Sequence, residues 1–157
     1  WKAGVDVLSF GATKGGAMGA EALVFFDPAQ VRDAEFRRKQ AGHLLSKMRY
    51  VSAQLLAYVA DDLWLRLCGH ANDMARRLAE GLGNLPGASL AYPVEANEIF
   101  VKLPLGAIAR LKAAGARFYE WEWALAEGAD SMLVRLVTAF DTRETDVEGF
   151  LAVARNH

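Results

Sequence analysis

The sequence predicts an α/β protein in two parts, and three observations carry that expectation. Two apolar, β-compatible runs flank a loop of small residues near the start; a long stretch repeats apolar residues at three- and four-residue steps; and beyond Pro86 short strands alternate with helices. The expected organisation is residues 1–50 as the end of one domain, residues 51–85 as a long connecting helix, and residues 86–157 as a small α/β domain with helices on one face of its sheet. The 157 residues, 53% hydrophobic and 24% charged, are enough to bury a sizeable core.

In chain order, Val5–Phe10 and Glu21–Phe26 read as a strand pair around the loop Gly11-Ala12-Thr13-Lys14-Gly15-Gly16-Ala17. Asp27-Pro28 reads as a helix start, with Asp27 as N-cap and Pro28 at the first helical position, and that helix is expected to run to about Lys39 with Val31, Ala34 and Phe36 on a mixed face. A polar break at residues 40–43 precedes the connecting helix, whose periodic residues include Leu55, Val59, Leu63, Leu67, Met74, Leu78 and Leu82. Its first half is apolar on most faces, which suits burial between layers or at a subunit contact. Asp61-Asp62 and Gly69 are the places where it could break, and Gly83 with Asn84-Leu85-Pro86-Gly87 ends it. Strands are then expected at residues 89–92, 98–103, 118–123 and 132–138, a short helix at 105–114, and a last helix from about residue 142 that buries Val147, Phe150, Leu151 and Val153.

Composition excludes several functions. A formal net charge of −1 gives no electrostatic footprint for nucleic acid or an anionic membrane, and no apolar run is long enough to span a bilayer. The single cysteine, Cys68, has no second thiol with which to pair or share a metal, and it reads as a small buried hydrophobe on a helix. These features suit the reducing cytoplasm.

Two charged residues stand out because their surroundings are apolar. Lys14 is the only charge in the small-residue loop. If apolar strands enclose it, desolvation favours an anionic partner or the neutral amine, and a neutral lysine amine is a nucleophile toward carbonyl compounds such as pyridoxal phosphate. Spacing alone favours the other reading, a solvated lysine at a hairpin tip. A phosphate-binding loop is excluded, because Thr13 precedes Lys14 and Gly15 follows it, the reverse of what that pattern needs. Arg135 lies in the strand Met132-Leu133-Val134-Arg135-Leu136-Val137-Thr138, where alternation puts Leu133, Arg135 and Val137 on one face and Met132, Val134, Leu136 and Thr138 on the other. Its planar fork suits the carboxylate of an amino acid; a structural salt bridge to Asp141 or Glu148 is the alternative. His43, His70, Asn97 and the Trp121/Trp123 pair read as loop, cap or core residues rather than chemical groups.

The stretch Asp6-Val7-Leu8-Ser9-Phe10-Gly11-Ala12-Thr13-Lys14-Gly15-Gly16-Ala17, continuing through Glu21-Ala22-Leu23-Val24-Phe25-Phe26-Asp27-Pro28, resembles the cofactor-lysine segment of low-specificity L-threonine aldolases. These are pyridoxal-phosphate enzymes of the aspartate-aminotransferase fold type, grouped with the β-eliminating lyases. Val134-Arg135-Leu136-Val137-Thr138-Ala139-Phe140-Asp141 is similar to the family motif whose arginine holds the substrate α-carboxylate, with Ala139 where many relatives carry histidine. Arg49, in Lys47-Met48-Arg49-Tyr50, is similar to an arginine that reaches the cofactor across a subunit interface. The resemblance thus implies Lys14 as the cofactor lysine, Arg49 as a cofactor-binding residue and Arg135 as a substrate-binding residue.

It further implies pyridoxal 5'-phosphate as cofactor, a small amino-acid substrate cleaved to glycine and an aldehyde, and a homodimer or homotetramer with shared active sites. Residues 1–50 would end the cofactor-binding large domain, and the chain, which begins at Trp1, would be the C-terminal portion of a larger enzyme. Another enzyme of the same fold type, a β-eliminating lyase or an aminotransferase, remains an alternative reading of the lysine segment. So does a non-catalytic assembly domain in which Lys14 is an ordinary loop residue.

Overall fold

The computed structural model describes residues 1–121 and 128–155. The chain divides into two compact units, Trp1–Arg66 and Leu67–His157. Among the described residues both contain strands and helices, as the α/β expectation requires.

In the first unit, β1 (Val7–Gly11) and β2 (Glu21–Phe25) pair antiparallel, with Val7 opposite Phe25 and Gly11 opposite Glu21. Between them a 3-10 turn spans Thr13–Gly15 and closes at Gly16, whose φ of 120° belongs to glycine. The Asp27 side chain caps the following turn by accepting from the Ala29 N–H at 2.9 Å, with Pro28 just inside, as the sequence indicates. The helix expected over residues 27–39 is nevertheless two pieces, a 3-10 turn at Pro28–Val31 and α1 at Ala34–Gln40. Asp33 leaves helical geometry between them (φ −106°, ψ 2°), and Phe36 is 74% exposed.

The connector expected over residues 51–85 is likewise two helices, α2 (Arg49–Val59) and α3 (Leu63–Gly83). They part where Asp61 and Asp62 adopt left-handed φ of 50° and 55°. Aspartate is among the few L-residues that visit this region routinely, which explains why the break falls here while α3 runs through Gly69. Apolar periodicity survives a one-turn interruption, so it does not reveal one. In the first unit Leu56 and Val59 on α2 remain exposed rather than buried between layers.

The second unit is a four-stranded antiparallel sheet in the order β3 (Ser89–Leu90), β4 (Glu98–Pro104), β6 (Ser131–Val137), β5 (Tyr119–Glu120). The strand expected to reach residue 123 is Tyr119–Glu120 among the described residues; Trp123 lies outside them. Period-two alternation turns Ile99, Val101 and Leu103 of β4 and Val134 and Leu136 of β6 to one face. There they meet α3, α4 (Leu105–Ala113) and α5 (Glu144–Arg155) through Leu78, Leu82, Ile108, Leu111, Val147 and Leu151. Leu82, Ile99, Leu103 and Leu111 are fully buried, each removing a side chain from water at a gain of about 2 kcal/mol. Cys68 is half-buried on α3.

At the start of α5, the Asp146 carboxylate accepts the Arg143 backbone N–H at 3.0 Å and its Nε–H at 3.2 Å. The backbone bond first, and then the guanidinium, hold this carboxyl below the ordinary aspartate range, against a small opposing effect of burial. A depressed folded-state value means that the ionised form favours the native state. The contribution is present above the unfolded value and disappears as pH falls through the folded one. Asp146→Asn is therefore expected to lower the urea midpoint at pH 7, by an amount that shrinks as pH falls through the acid range and the folded carboxyl takes up its proton.

Candidate active site

Lys14 occupies the middle of the 3-10 turn, carried past the ends of both strands. Ala12, buried, closes the turn with its carbonyl, accepting from Gly15 N at 3.1 Å and Ala17 N at 3.0 Å, while its own N–H donates to Ala20 O at 2.9 Å. Thr13 adds a second tie: its hydroxyl donates to Glu21 Oε1 at 2.7 Å and accepts from Ala20 N at 3.2 Å. The backbone on both sides of the lysine is thereby held, while its side chain makes no hydrogen bond or ion pair with the described residues. The expected enclosure of Lys14 between apolar strands is not found in this unit: the residue is exposed. The turn lifts it beyond β1 and β2, whose own apolar residues Val7, Leu8, Leu23 and Val24 are exposed as well.

The loop rests on α2. Gln54 Oε1 accepts the N–H groups of Met18 at 2.9 Å and Gly19 at 3.1 Å, and its amide nitrogen donates back to Tyr50 O at 3.1 Å. The buried Tyr58 packs so close to Gly15 that a Cβ there would lie 1.9 Å from the phenolic oxygen. Glycine is thus required by close approach. Gly15→Ala is expected to destabilise the unit by about 1–3 kcal/mol, read as a lowered urea midpoint, because either the ring or the turn must move. Neither Gln54 nor Tyr58 was singled out by the sequence, where a glutamine and a tyrosine on an apolar helix carry no special signal.

Arg49 opens α2 and is exposed, its guanidinium carbon 4.9 Å from the Tyr50 ring centroid. Gln54 and Tyr58 tie the helix that Arg49 begins to the loop that bears Lys14.

In the second unit Arg135 lies on the sheet face opposite the helices. Its Nε pairs with Glu98 Oε1, rather than with Asp141 or Glu148; Glu148 is held by Arg77 at 2.6 Å. The guanidinium carbon stands 5.9 Å from the Tyr119 ring centroid and 5.6 Å from that of Trp121. Trp121 meets Phe100 edge-on at 5.2 Å, and Phe100 meets Tyr92 at 5.8 Å. Among the described residues the arginine therefore has one carboxylate and two aromatic walls. It also helps to line a cavity of about 490 Å³, together with Arg117, Phe118, Tyr119, Val137 and Phe150.

The remaining polar residues are structural. His70 Nε2 donates to the Thr142 carbonyl at 2.7 Å. Asn97 Nδ2 donates to Thr138 O at 2.7 Å, and the buried Thr138 hydroxyl donates to Ala71 O at 2.7 Å, fastening the end of β6 to α3. His43 is exposed in the loop before α2.

A family model described as beta-eliminating lyase matches residues 2–104, about two thirds of the chain, including both Lys14 and Arg49. The chain belongs to the beta-eliminating lyase family. Two curated relatives carry the name low specificity L-threonine aldolase: one from Pseudomonas aeruginosa, 45% identical over 156 residues, and one from a Pseudomonas species, 39% identical over 155. Each alignment takes in 99% of this family member but only 42% and 43%, respectively, of the relative, so the chain spans about two fifths of their length. Among solved structures, a threonine aldolase from Leishmania major superimposes with a TM-score of 0.86 at 32% identity, over 95% of this chain and 42% of that one. A serine palmitoyltransferase from Sphingomonas wittichii matches at 0.66 and 18% identity, over 98% and 40%, which speaks for the fold alone.

Proposed function

We propose that this beta-eliminating lyase family member serves a pyridoxal-phosphate-dependent aldolase that cleaves L-threonine and related β-hydroxy-α-amino acids to glycine and an aldehyde. The observation that carries the reading is the family match over residues 2–104, which takes in Lys14 on a turn whose backbone is fastened on both sides. The names of the relatives at 45% and 39% identity support the same reaction. The donor set fits the cofactor: an aldehyde forms an imine with a primary amine, Lys14 supplies one, and Gly15 and Gly16 keep side chains away from it.

Pyridoxal phosphate, when bound, supplies the electron sink for breaking the Cα–Cβ bond. This chain would do the rest in named places. Lys14 would hold the cofactor and, when released from it, carry a proton on Nζ. Arg135 would bind the substrate α-carboxylate through its guanidinium fork and so fix the direction of the Cα–Cβ bond, an orientation effect. Arg49 would add positive charge beside the cofactor. In this reading residues 1–50 end the cofactor-binding domain, the enzyme is a cytoplasmic homodimer or homotetramer, and its active sites are shared between subunits.

The test is borohydride reduction of the full-length holoenzyme followed by peptide mapping, with L-threonine assayed in parallel for glycine and acetaldehyde. Label on Lys14 together with both products is the expected result. Label on another lysine removes the assignment, and ammonia with a keto acid in place of glycine removes the aldolase reaction.

A further inference from the structure

We propose that Glu98 is a positioning residue for Arg135: it grips the guanidinium by Nε and leaves the two terminal nitrogens free as a preset fork for an amino-acid carboxylate. The inference rests on the reading of Arg135 as the carboxylate site. It begins with register. On the antiparallel pair β4·β6, Phe100 stands opposite Arg135 and Glu98 opposite Val137, so Glu98 is the diagonal neighbour of Arg135 on the same face. Diagonal neighbours are within reach of one another when both side chains are long.

The contact is one-sided in a way that matters. A guanidinium offers five N–H donors, and a carboxylate can engage it along the Nε edge or across the two terminal nitrogens. Glu98 takes Nε, and neither terminal nitrogen has a hydrogen bond or ion pair among the described residues. The rings of Tyr119 and Trp121, at 5.9 and 5.6 Å, limit how far the guanidinium can swing. Both members of the pair are partly open to solvent, at 29% and 38% of their side-chain surface, so a ligand can approach the unoccupied end. A glutamate placed to neutralise or block the arginine would claim the terminal fork itself. Holding Nε instead removes rotamers that a free arginine would have to lose on binding.

The experiment compares Glu98→Ala, Glu98→Gln and Arg135→Gln in the full-length holoenzyme, measuring the Kd of glycine by calorimetry and the KM and kcat for L-threonine. Losing a charge-assisted hydrogen bond that orients the fork should weaken glycine binding and raise KM about tenfold in Glu98→Ala, with kcat within about twofold of the parent. Glu98→Gln keeps an acceptor at the same place and should recover most of that loss, as long as its thermal midpoint matches the parent. Glycine bound by Glu98→Ala as tightly as by the parent, or more tightly, overturns the proposal, as does a Glu98→Gln enzyme no better than the alanine variant. Arg135→Gln separates the two levels. If it leaves glycine affinity untouched, the carboxylate reading falls and the role of Glu98 with it; if it alone weakens binding, only the role of Glu98 falls.

Discussion

An enzyme carrying Lys14→Ala is expected to lose about a thousandfold or more in kcat for L-threonine and to incorporate no borohydride label. The size of the effect follows from the two duties proposed for one atom. Nζ would be both the covalent anchor of the cofactor and the group that moves a proton once released, so no remaining side chain of the loop can substitute: Thr13, Gly15, Gly16 and Ala17 offer no amine. The stability of the variant should be close to that of the parent, because Lys14 makes no hydrogen bond or ion pair with the described residues and the turn is closed by Ala12, Thr13 and Ala20. Steady-state kinetics, label incorporation and a urea curve together check all three. An active, labelled Lys14→Ala enzyme would remove the lysine from the mechanism.

The second large effect belongs to Arg135→Gln. Removing the cation that would face a substrate carboxylate is expected to raise the KM for L-threonine about a hundredfold, and kcat should fall as well, because the carboxylate also sets the direction of the scissile bond. Arg135→Lys should lie between the parent and glutamine, since it keeps the charge but replaces a planar fork with a point charge. Steady-state kinetics of both variants measure the order. Lysine and arginine enzymes with the same KM would mean that charge, and not fork geometry, binds the carboxylate.

Much of the candidate site is legible along the chain because it depends on neighbours in sequence. Lys14 shows as a lone charge in a loop of small residues, and Arg135 as a cation in an apolar strand whose alternation places it away from Val134 and Leu136; the sheet has that register. Asp27 and Pro28 state a capped turn in their own chemistry, and the turn is there. The exposure of Lys14 agrees with the hairpin-tip reading that its spacing alone favours, and not with enclosure between the strands. Whether an apolar strand encloses a neighbour depends on what packs over that strand, and Val7, Leu8, Leu23 and Val24 lie exposed in this unit. The partner of Arg135 was hidden. Asp141 and Glu148 are nearer in sequence, but antiparallel pairing brings Glu98, 37 residues away, to the diagonal position.

By itself, then, the sequence determined the α/β class, the strand faces, and which two charged residues interrupt apolar or small-residue stretches of the chain, since each is a matter of local period and residue type. Tertiary structure decided which of the two possible breaks, Asp61-Asp62 or Gly69, the long periodic stretch takes, and it alone decided that Gln54 and Tyr58 support the lysine turn and that Glu98 is the residue holding Arg135. Those outcomes are contacts between segments distant in the chain, or a choice of left-handed backbone at Asp61 and Asp62, and neither leaves a mark on hydrophobic periodicity.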